Sequence, residues 1–137
     1  MYDWKKGDVL ALYTPNNIDT PVINFGTLWA GGVTSPANPT YTVNELANQI
    51  KDSGARLLAT QKPFLPIALE AARISGLSPD KIILLGDGRD ETGKHIHFTD
   101  ITAKAAWFQP KKTAIDPKKD LGFIVYSSVC TTHRIIE

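Results

Sequence analysis

No disulfide can form within this chain, because Cys130 is its only cysteine. That thiol and three scattered histidines also fall short of the four ligands that a structural zinc site requires. A single unpaired cysteine is the usage expected in a reducing compartment. Long apolar runs are missing as well. Those present, such as Ile82 to Leu85, are far shorter than the roughly 18 residues of a membrane-spanning helix. The amino end, Met1-Tyr2-Asp3-Trp4-Lys5-Lys6, lacks the apolar stretch of a secretion signal. Charge of one sign is absent too: fifteen Lys and Arg against fourteen Asp and Glu leave a net charge of +1. Without a basic field to meet a phosphate backbone, nucleic acid is set aside as a partner. The sequon Asn38-Pro39-Thr40 is closed to glycosylation by its proline.

What is present suits one ordinary folded domain. The chain has 137 residues, 42% hydrophobic and 21% charged, and a domain of this size buries roughly two-thirds of its unfolded surface. Five apolar runs stand out: Val9 to Tyr13, Gly32 to Ala37, Arg56 to Thr60, Lys81 to Leu85 and Leu121 to Tyr126. Most are continuously apolar, the pattern of strands covered on both faces of a parallel sheet.

Helical patterns lie between them. In Asn17 to Gly31, Val22, Phe25 and Trp29 recur at i, i+3 and i+7, with Asn17 or Asp19 able to cap the start. Thr42-Val43-Asn44-Glu45 is a capping box, followed by an apolar stripe of Val43, Leu46, Ala47 and Ile50 and by Gly54 at the left-handed stop position. A third helix opens at Pro63, carries Leu65, Ala68, Leu69 and Ala72 on one side, and ends near Gly76. The β-α alternation predicts an α/β fold: an open, largely parallel, doubly wound sheet with helices on both faces and function at the carboxyl ends of its strands. The polar segment from Gly86 to Lys119 breaks the rhythm, holds at most a short helix near Ile101 to Trp107, and reads as solvated loop.

Individual motifs carry little chemistry. Gly86-Asp87-Gly88 follows a strand, but position 91 is Glu and no helix pattern comes next, so it reads as a turn and not as a dinucleotide loop. His95 and His97 are spaced to share one side of a strand, yet no third ligand is near and no metal site is expected. The lysine pairs 111–112 and 118–119 read as solubilising, and Cys130 lacks an evident activator. Phe123 to Ser128 is an apolar strand running into two hydroxyls, the arrangement by which a strand end presents O–H and N–H groups to phosphate oxygens.

Taken in order, several segments make the chain resemble the adenylate-forming superfamily, in its 4-coumarate–CoA ligase and acyl-CoA ligase branch. They are Lys6-Gly7-Asp8-Val9 through Thr14-Pro15-Asn16-Asn17, Gly26-Thr27-Leu28-Trp29-Ala30-Gly31-Gly32, Ser35-Pro36-Ala37-Asn38-Pro39-Thr40-Tyr41-Thr42, Glu45-Leu46 with Asp52-Ser53-Gly54-Ala55, and Asp120-Leu121 leading into Val125-Tyr126-Ser127-Ser128. The resemblance implies part of the N-terminal domain of an enzyme that joins a carboxylic acid to AMP with release of pyrophosphate and then transfers the acyl group to coenzyme A. ATP, Mg2+ and coenzyme A serve the intact family, and a small carboxylic acid is its substrate. The family's phosphate loop reads Tyr-Ser-Ser-Gly-Thr-Thr-Gly-x-Pro-Lys-Gly. Ser127 and Ser128 match it, with Thr131 and Thr132 as displaced remnants of its two threonines.

From Val129 the chain departs from that loop, reading Val129-Cys130-Thr131-Thr132-His133-Arg134-Ile135-Ile136-Glu137. The expected organisation is a partial ligase domain over 1–128 and an aberrant tail over 129–137 without packing partners. Val-Cys is encoded by GTN-TGY, and GTATGT is a common fungal intron donor, so Val129 to Glu137 are expected to be translated intron or the product of a missed splice. Such a fragment, cut at both ends, is expected to be inactive and to bind none of the cofactors alone. The alternative is a non-catalytic α/β module for nucleotide binding or protein interaction, associating with the remaining ligase domains or with a homologue. An intracellular site, cytoplasmic or peroxisomal, fits the family, although Ile135-Ile136-Glu137 is not a peroxisomal address.

Overall fold

Five parallel strands carry the fold, and their apolar content follows from being covered on two sides. The computed structural model describes residues 3–105, 113–127 and 135–136. Strands β1 (Val9–Tyr13), β2 (Val33–Ala37), β3 (Ala55–Gln61), β4 (Ile82–Leu85) and β5 (Ile96–His97) lie in the order β2-β1-β3-β4-β5. Every pairing in this sheet is parallel. All residues of β1 and β4 are buried. The doubly wound reading of the sequence therefore holds, and four of the five expected strands stand within a residue or two of their expected bounds.

Helices α1 (Asp19–Trp29) and α4 (Phe98–Ala105) cover one face, where Ile23, Phe98 and Ile101 pack on Leu10, Leu12, Leu57 and Ile83. Helices α2 (Val43–Ser53) and α3 (Leu65–Ser75) cover the other, where Leu46, Ala47, Ile50, Ala68 and Ala72 meet Ala11, Tyr13, Leu58 and Ile82. The alternation of Leu10 and Leu12 against Ala11 and Tyr13 is the two-residue period of a strand feeding two cores. Tyr13 is fully buried, sets its ring edge-on to Phe64 at 5.7 Å, and donates its hydroxyl to the Tyr41 carbonyl. Burial raises its phenol pKa.

Local signals act where the sequence places them. Thr42 and Glu45 close a reciprocal capping box on α2, and Gly54 ends it at φ 66°. Asn17 Oδ1 accepts from the backbone N–H groups of Asp19 and Thr20 at 2.7 and 3.1 Å, which satisfies the first orphan donors of α1. Pro63 lies in a 3-10 turn, Lys62–Phe64, that precedes α3, and Gly76 stops that helix at φ 79°.

Three features depart from the periodicity reading. The Val22, Phe25 and Trp29 stripe of α1 faces outward, and Ile23 and Thr27 face the sheet instead. The polar segment after Gly86 contributes β5 and α4, so it is more ordered than a solvated loop. The last expected strand shrinks to β6 (Ile124–Val125), preceded by a parallel bridge from Phe123 to Thr34 that sets it beside β2. In β6 only Ile124 is buried, so the strand is covered on one side and open on the other. Its neighbour is β7 (Ile135–Ile136), which pairs with it antiparallel. Two residues of the expected tail thus find backbone partners.

Candidate functional site

In a sheet of this order the chain leaves β1 toward β2 on one side and β3 toward β4 on the other, which opens a crevice at the carboxyl ends of β1 and β3. Polar residues occupy it. Thr14 follows β1 directly, and its hydroxyl accepts from Gln61 Nε2 at 2.7 Å and from Asn17 Nδ2 at 3.2 Å while donating to the Pro15 carbonyl at 2.9 Å. One buried threonine thereby ties the end of β1, the end of β3 and the entry to α1 together. Asp19, in the first turn of α1, accepts from the Gly86 N–H at 2.8 Å and fastens the turn that leaves β4.

Further along the same edge, His97 is buried and bonded at both ring nitrogens. Nε2 lies 2.7 Å from the Gly86 carbonyl and Nδ1 lies 2.8 Å from Thr99 Oγ1. A carbonyl only accepts, so in the neutral ring Nε2 carries the proton and Nδ1 accepts from the Thr99 hydroxyl and N–H. Arg89 holds both carboxylate oxygens of Asp100 at 2.9 Å, which lowers the Asp100 pKa. Asp90 accepts from the Thr92 hydroxyl and from the N–H groups of Thr92, Lys94 and His95, and these bonds pull its pKa down to about 2. Between these two ends, Gln61, Lys62, Pro63, Leu85, Asp87 and Gly88 line an open groove of about 360 Å³.

The described residues of this edge position loops, and among them no acid, base and nucleophile come together. Thr14 has its proton committed to a carbonyl, and His97 has both nitrogens engaged. The His95 and His97 pair finds no third ligand: among the described residues no three His, Cys, Asp or Glu side chains converge on a cation position. Gly86 takes φ 73° and makes the expected turn. The sequence reading gives Thr14 and Gln61 no role, Asn17 only a helix cap, and His97 only half of a metal pair without a third ligand. The signal for two of them was there, since Thr14 and Gln61 are the polar residues that end two apolar runs on adjacent strands.

Of the residues expected to face phosphate, Ser127 is described, and it lies away from this crevice. Ser127 follows β6 half-buried, on the opposite margin of the sheet, two strand positions from β1. Strand spacing puts that at roughly 10 Å from the crevice in the plane of the sheet. Just before it, the Tyr126 hydroxyl donates to Asp52 Oδ2 at 2.6 Å and pins the end of β6 to α2. Ser128, Thr131 and Thr132 lie outside the described residues.

The sequence profile described as AMP-binding enzyme matches residues 2–132. The chain belongs to that family. Over 91% of its length it is 30% identical to 4-coumarate–CoA ligase 5 of Oryza sativa subsp. japonica, and over 93% it is 31% identical to peroxisomal OPC-8:0-CoA ligase 1 of Arabidopsis thaliana. Among solved structures it superposes on a long-chain-fatty-acid-CoA ligase of Archaeoglobus fulgidus with a TM-score of 0.79 at 17% identity, covering 98% of this chain and 25% of that one. It superposes on a benzoate CoA ligase of Burkholderia xenovorans LB400 with a TM-score of 0.73 at 20% identity, covering 88% of this chain and 22% of that one. The parallel sheet with helices on both sides is therefore that of the N-terminal domain of adenylate-forming enzymes. The chain spans 21 to 27% of the length of the curated relatives that it matches along most of its own. No described helix is long and apolar enough to cross a membrane.

Proposed function

We propose that this chain is part of the N-terminal domain of an ATP-dependent acid–CoA ligase, one that activates a carboxylic acid as its acyl-adenylate and passes the acyl group to coenzyme A. Ser127 and Ser128 are the part it contributes to the phosphate loop. What carries the reading is the position of Tyr126 and Ser127 just past the carboxyl end of β6, which enters the fold beside β2 through a parallel bridge, in a chain whose profile match runs through that point. ATP with Mg2+ supplies the adenylyl group and the counter-charge in such an enzyme.

The residues of this chain do not make a complete site for that nucleotide. No glycine follows Gly122 in the sequence, and β-branched Val129 stands where the loop needs a residue free to adopt left-handed backbone. Ile135–Ile136 pair antiparallel with β6. Thr131 and Thr132 remain displaced remnants in this reading, and residues 129–137 a tail foreign to the loop. The isolated chain is accordingly inactive, and the cytoplasm or the peroxisome is the compartment that goes with the reading.

The test compares two proteins in acid-dependent ATP–pyrophosphate exchange, across aromatic and long-chain carboxylic acids. The 137-residue chain is expected to give no exchange. A chimera in which the rice 4-coumarate–CoA ligase continues the chain after Ser128 is expected to give it, and to lose it on Ser127→Ala. Exchange by the isolated chain above its own Ser127→Ala control, or a folded chimera inert toward every acid, overturns the proposal.

A further inference from the structure

Strand β6 meets β2 at a single isolated parallel bridge, Phe123 to Thr34. The reason that no second rung follows lies in β2. Successive residues of that strand turn their backbone groups to opposite neighbours: the Val33 N–H donates to the Asp8 carbonyl just before β1, and the Thr34 N–H donates to the Gly122 carbonyl on the β6 side, each at 2.9 Å. Two residues on, the backbone of Pro36 faces β6 again. The next rung needs a donor there for the Ile124 carbonyl, and a proline nitrogen has none.

The acceptor half of that rung is occupied. Gln49 of α2 is 4% exposed, and its Nε2 donates to the Pro36 carbonyl at 3.0 Å and to Ser35 Oγ at 2.9 Å. A carbonyl only accepts, so the NH2 group is the one that faces Pro36. Gln49 Oε1 is left buried with no hydrogen-bond partner among the described residues. A leftover buried acceptor costs free energy, which an apolar residue would avoid. What the glutamine supplies is a donor to the same carbonyl that a Tyr126 N–H would use in a continued ladder. Three positions further along α2, Asp52 accepts the Tyr126 hydroxyl at 2.6 Å. One turn of helix thus grips β2 and β6 on either side of the place where their ladder stops.

We propose that Pro36 and Gln49 form a strand stop that releases β6 from the sheet after one rung, and that Asp52, by holding Tyr126, then sets Ser127 where a nucleotide phosphate can meet it. All three are positioning residues that act through the chain at 126–127. The positioning rests on the functional reading above; the stop does not. Continued pairing would turn alternate N–H groups of the chain after Ile124 into the ladder, where none could reach a phosphate oxygen. A strand released early keeps those donors, and the Tyr126 anchor fixes its direction of exit, so less ordering remains to be done when the ligand binds.

The stop is tested in the 137-residue chain by residue-resolved amide hydrogen exchange. Pro36→Ala restores the donor, and the new amide at position 36 is expected to exchange at least tenfold more slowly than an unstructured amide. Adding Gln49→Met frees the acceptor and is expected to slow the Tyr126 amide at least tenfold relative to the parent chain. Exchange at position 36 at the unstructured rate overturns the stop, and a Tyr126 amide already protected in the parent overturns the part given to Gln49.

The positioning is tested by steady-state kinetics of the chimera. Pro36→Ala and, separately, Tyr126→Phe are expected to raise KM for ATP at least tenfold with KM for the carboxylic acid unchanged, whereas Asn48→Lys on the exposed side of α2 changes neither. A merely structural role would lower the active fraction, and with it kcat, and leave both KM values alone. That result, or unchanged kinetics once the rung at position 36 has formed, overturns the positioning and leaves the stop. An inert chimera defeats the ligase reading and the positioning together, while slow exchange at position 36 still upholds the stop.

Discussion

Single residues set the tightest constraints. Gly32 packs under the Trp4 indole, and a Cβ there would lie 2.3 Å from Trp4 Cζ2 and 3.0 Å from Thr27 Cγ2. Gly32→Ala must therefore push the indole off the sheet. It is expected to cost about 1–3 kcal/mol, as overpacking does, with a changed Trp fluorescence maximum and a lower Tm as the readouts. Asp90 makes a prediction about acid. Its carboxyl pKa is pulled down to about 2 by hydrogen bonds of the folded loop that favour the ionised form. A group whose folded pKa is depressed contributes stability above its unfolded value, near 3.9, and loses it as pH falls toward the folded value. Thermal melts between pH 5 and pH 2, on the order of that window, are expected to fall less steeply for Asp90→Asn than for the parent chain. Identical slopes would show that the loop does not depend on the ionised form.

At the scale of the element, α1 and α2 differ in what their periodicity means. The α2 stripe faces the core, and Thr42 caps the helix through Glu45 N. Thr42→Ala is expected to destabilise by about 1 kcal/mol in urea titration, as loss of a threonine cap does. In α1 the visible stripe lies outside. Ile23→Ala is expected to cost about 2–5 kcal/mol, the range for a buried isoleucine, whereas Phe25→Lys in the isolated chain stays within about 0.5 kcal/mol. Comparable losses for the two would mean that Phe25 is buried after all.

For the molecule as a whole, what matters is how much of the machinery one sheet supplies. Adenylation must hold phosphates, align an acid and offset developing charge, and each of these is worth several kcal/mol in a preorganised site. The described residues at the carboxyl edge supply loop-tying hydrogen bonds and one strand-end hydroxyl. Replacing residues from Val129 onward with Gly-Thr-Thr-Gly-x-Pro-Lys-Gly alone is therefore expected to leave acid-dependent ATP–pyrophosphate exchange at background. Exchange appearing with that graft would show that the phosphate loop suffices, and would refute the need for a longer chain.

The sequence by itself determined whatever depends on neighbours within a turn or two. The Thr42–Glu45 box, the left-handed stops at Gly54 and Gly76, the turn at Gly86 and the bounds of the buried strands are all local, and all were legible. Order along the chain also made the family resemblance visible, because motifs need only succession. Tertiary structure alone decided which way α1 turns its two apolar sides, since a helix with such residues on both has no amphipathic signal to orient it. It alone brought Gln61 to Thr14 across 47 positions and gave His97 its two partners, because those contacts follow from strand order and register. The shortening of the last strand has the same origin: at the margin of a sheet, an apolar run has a layer to pack on from one side only.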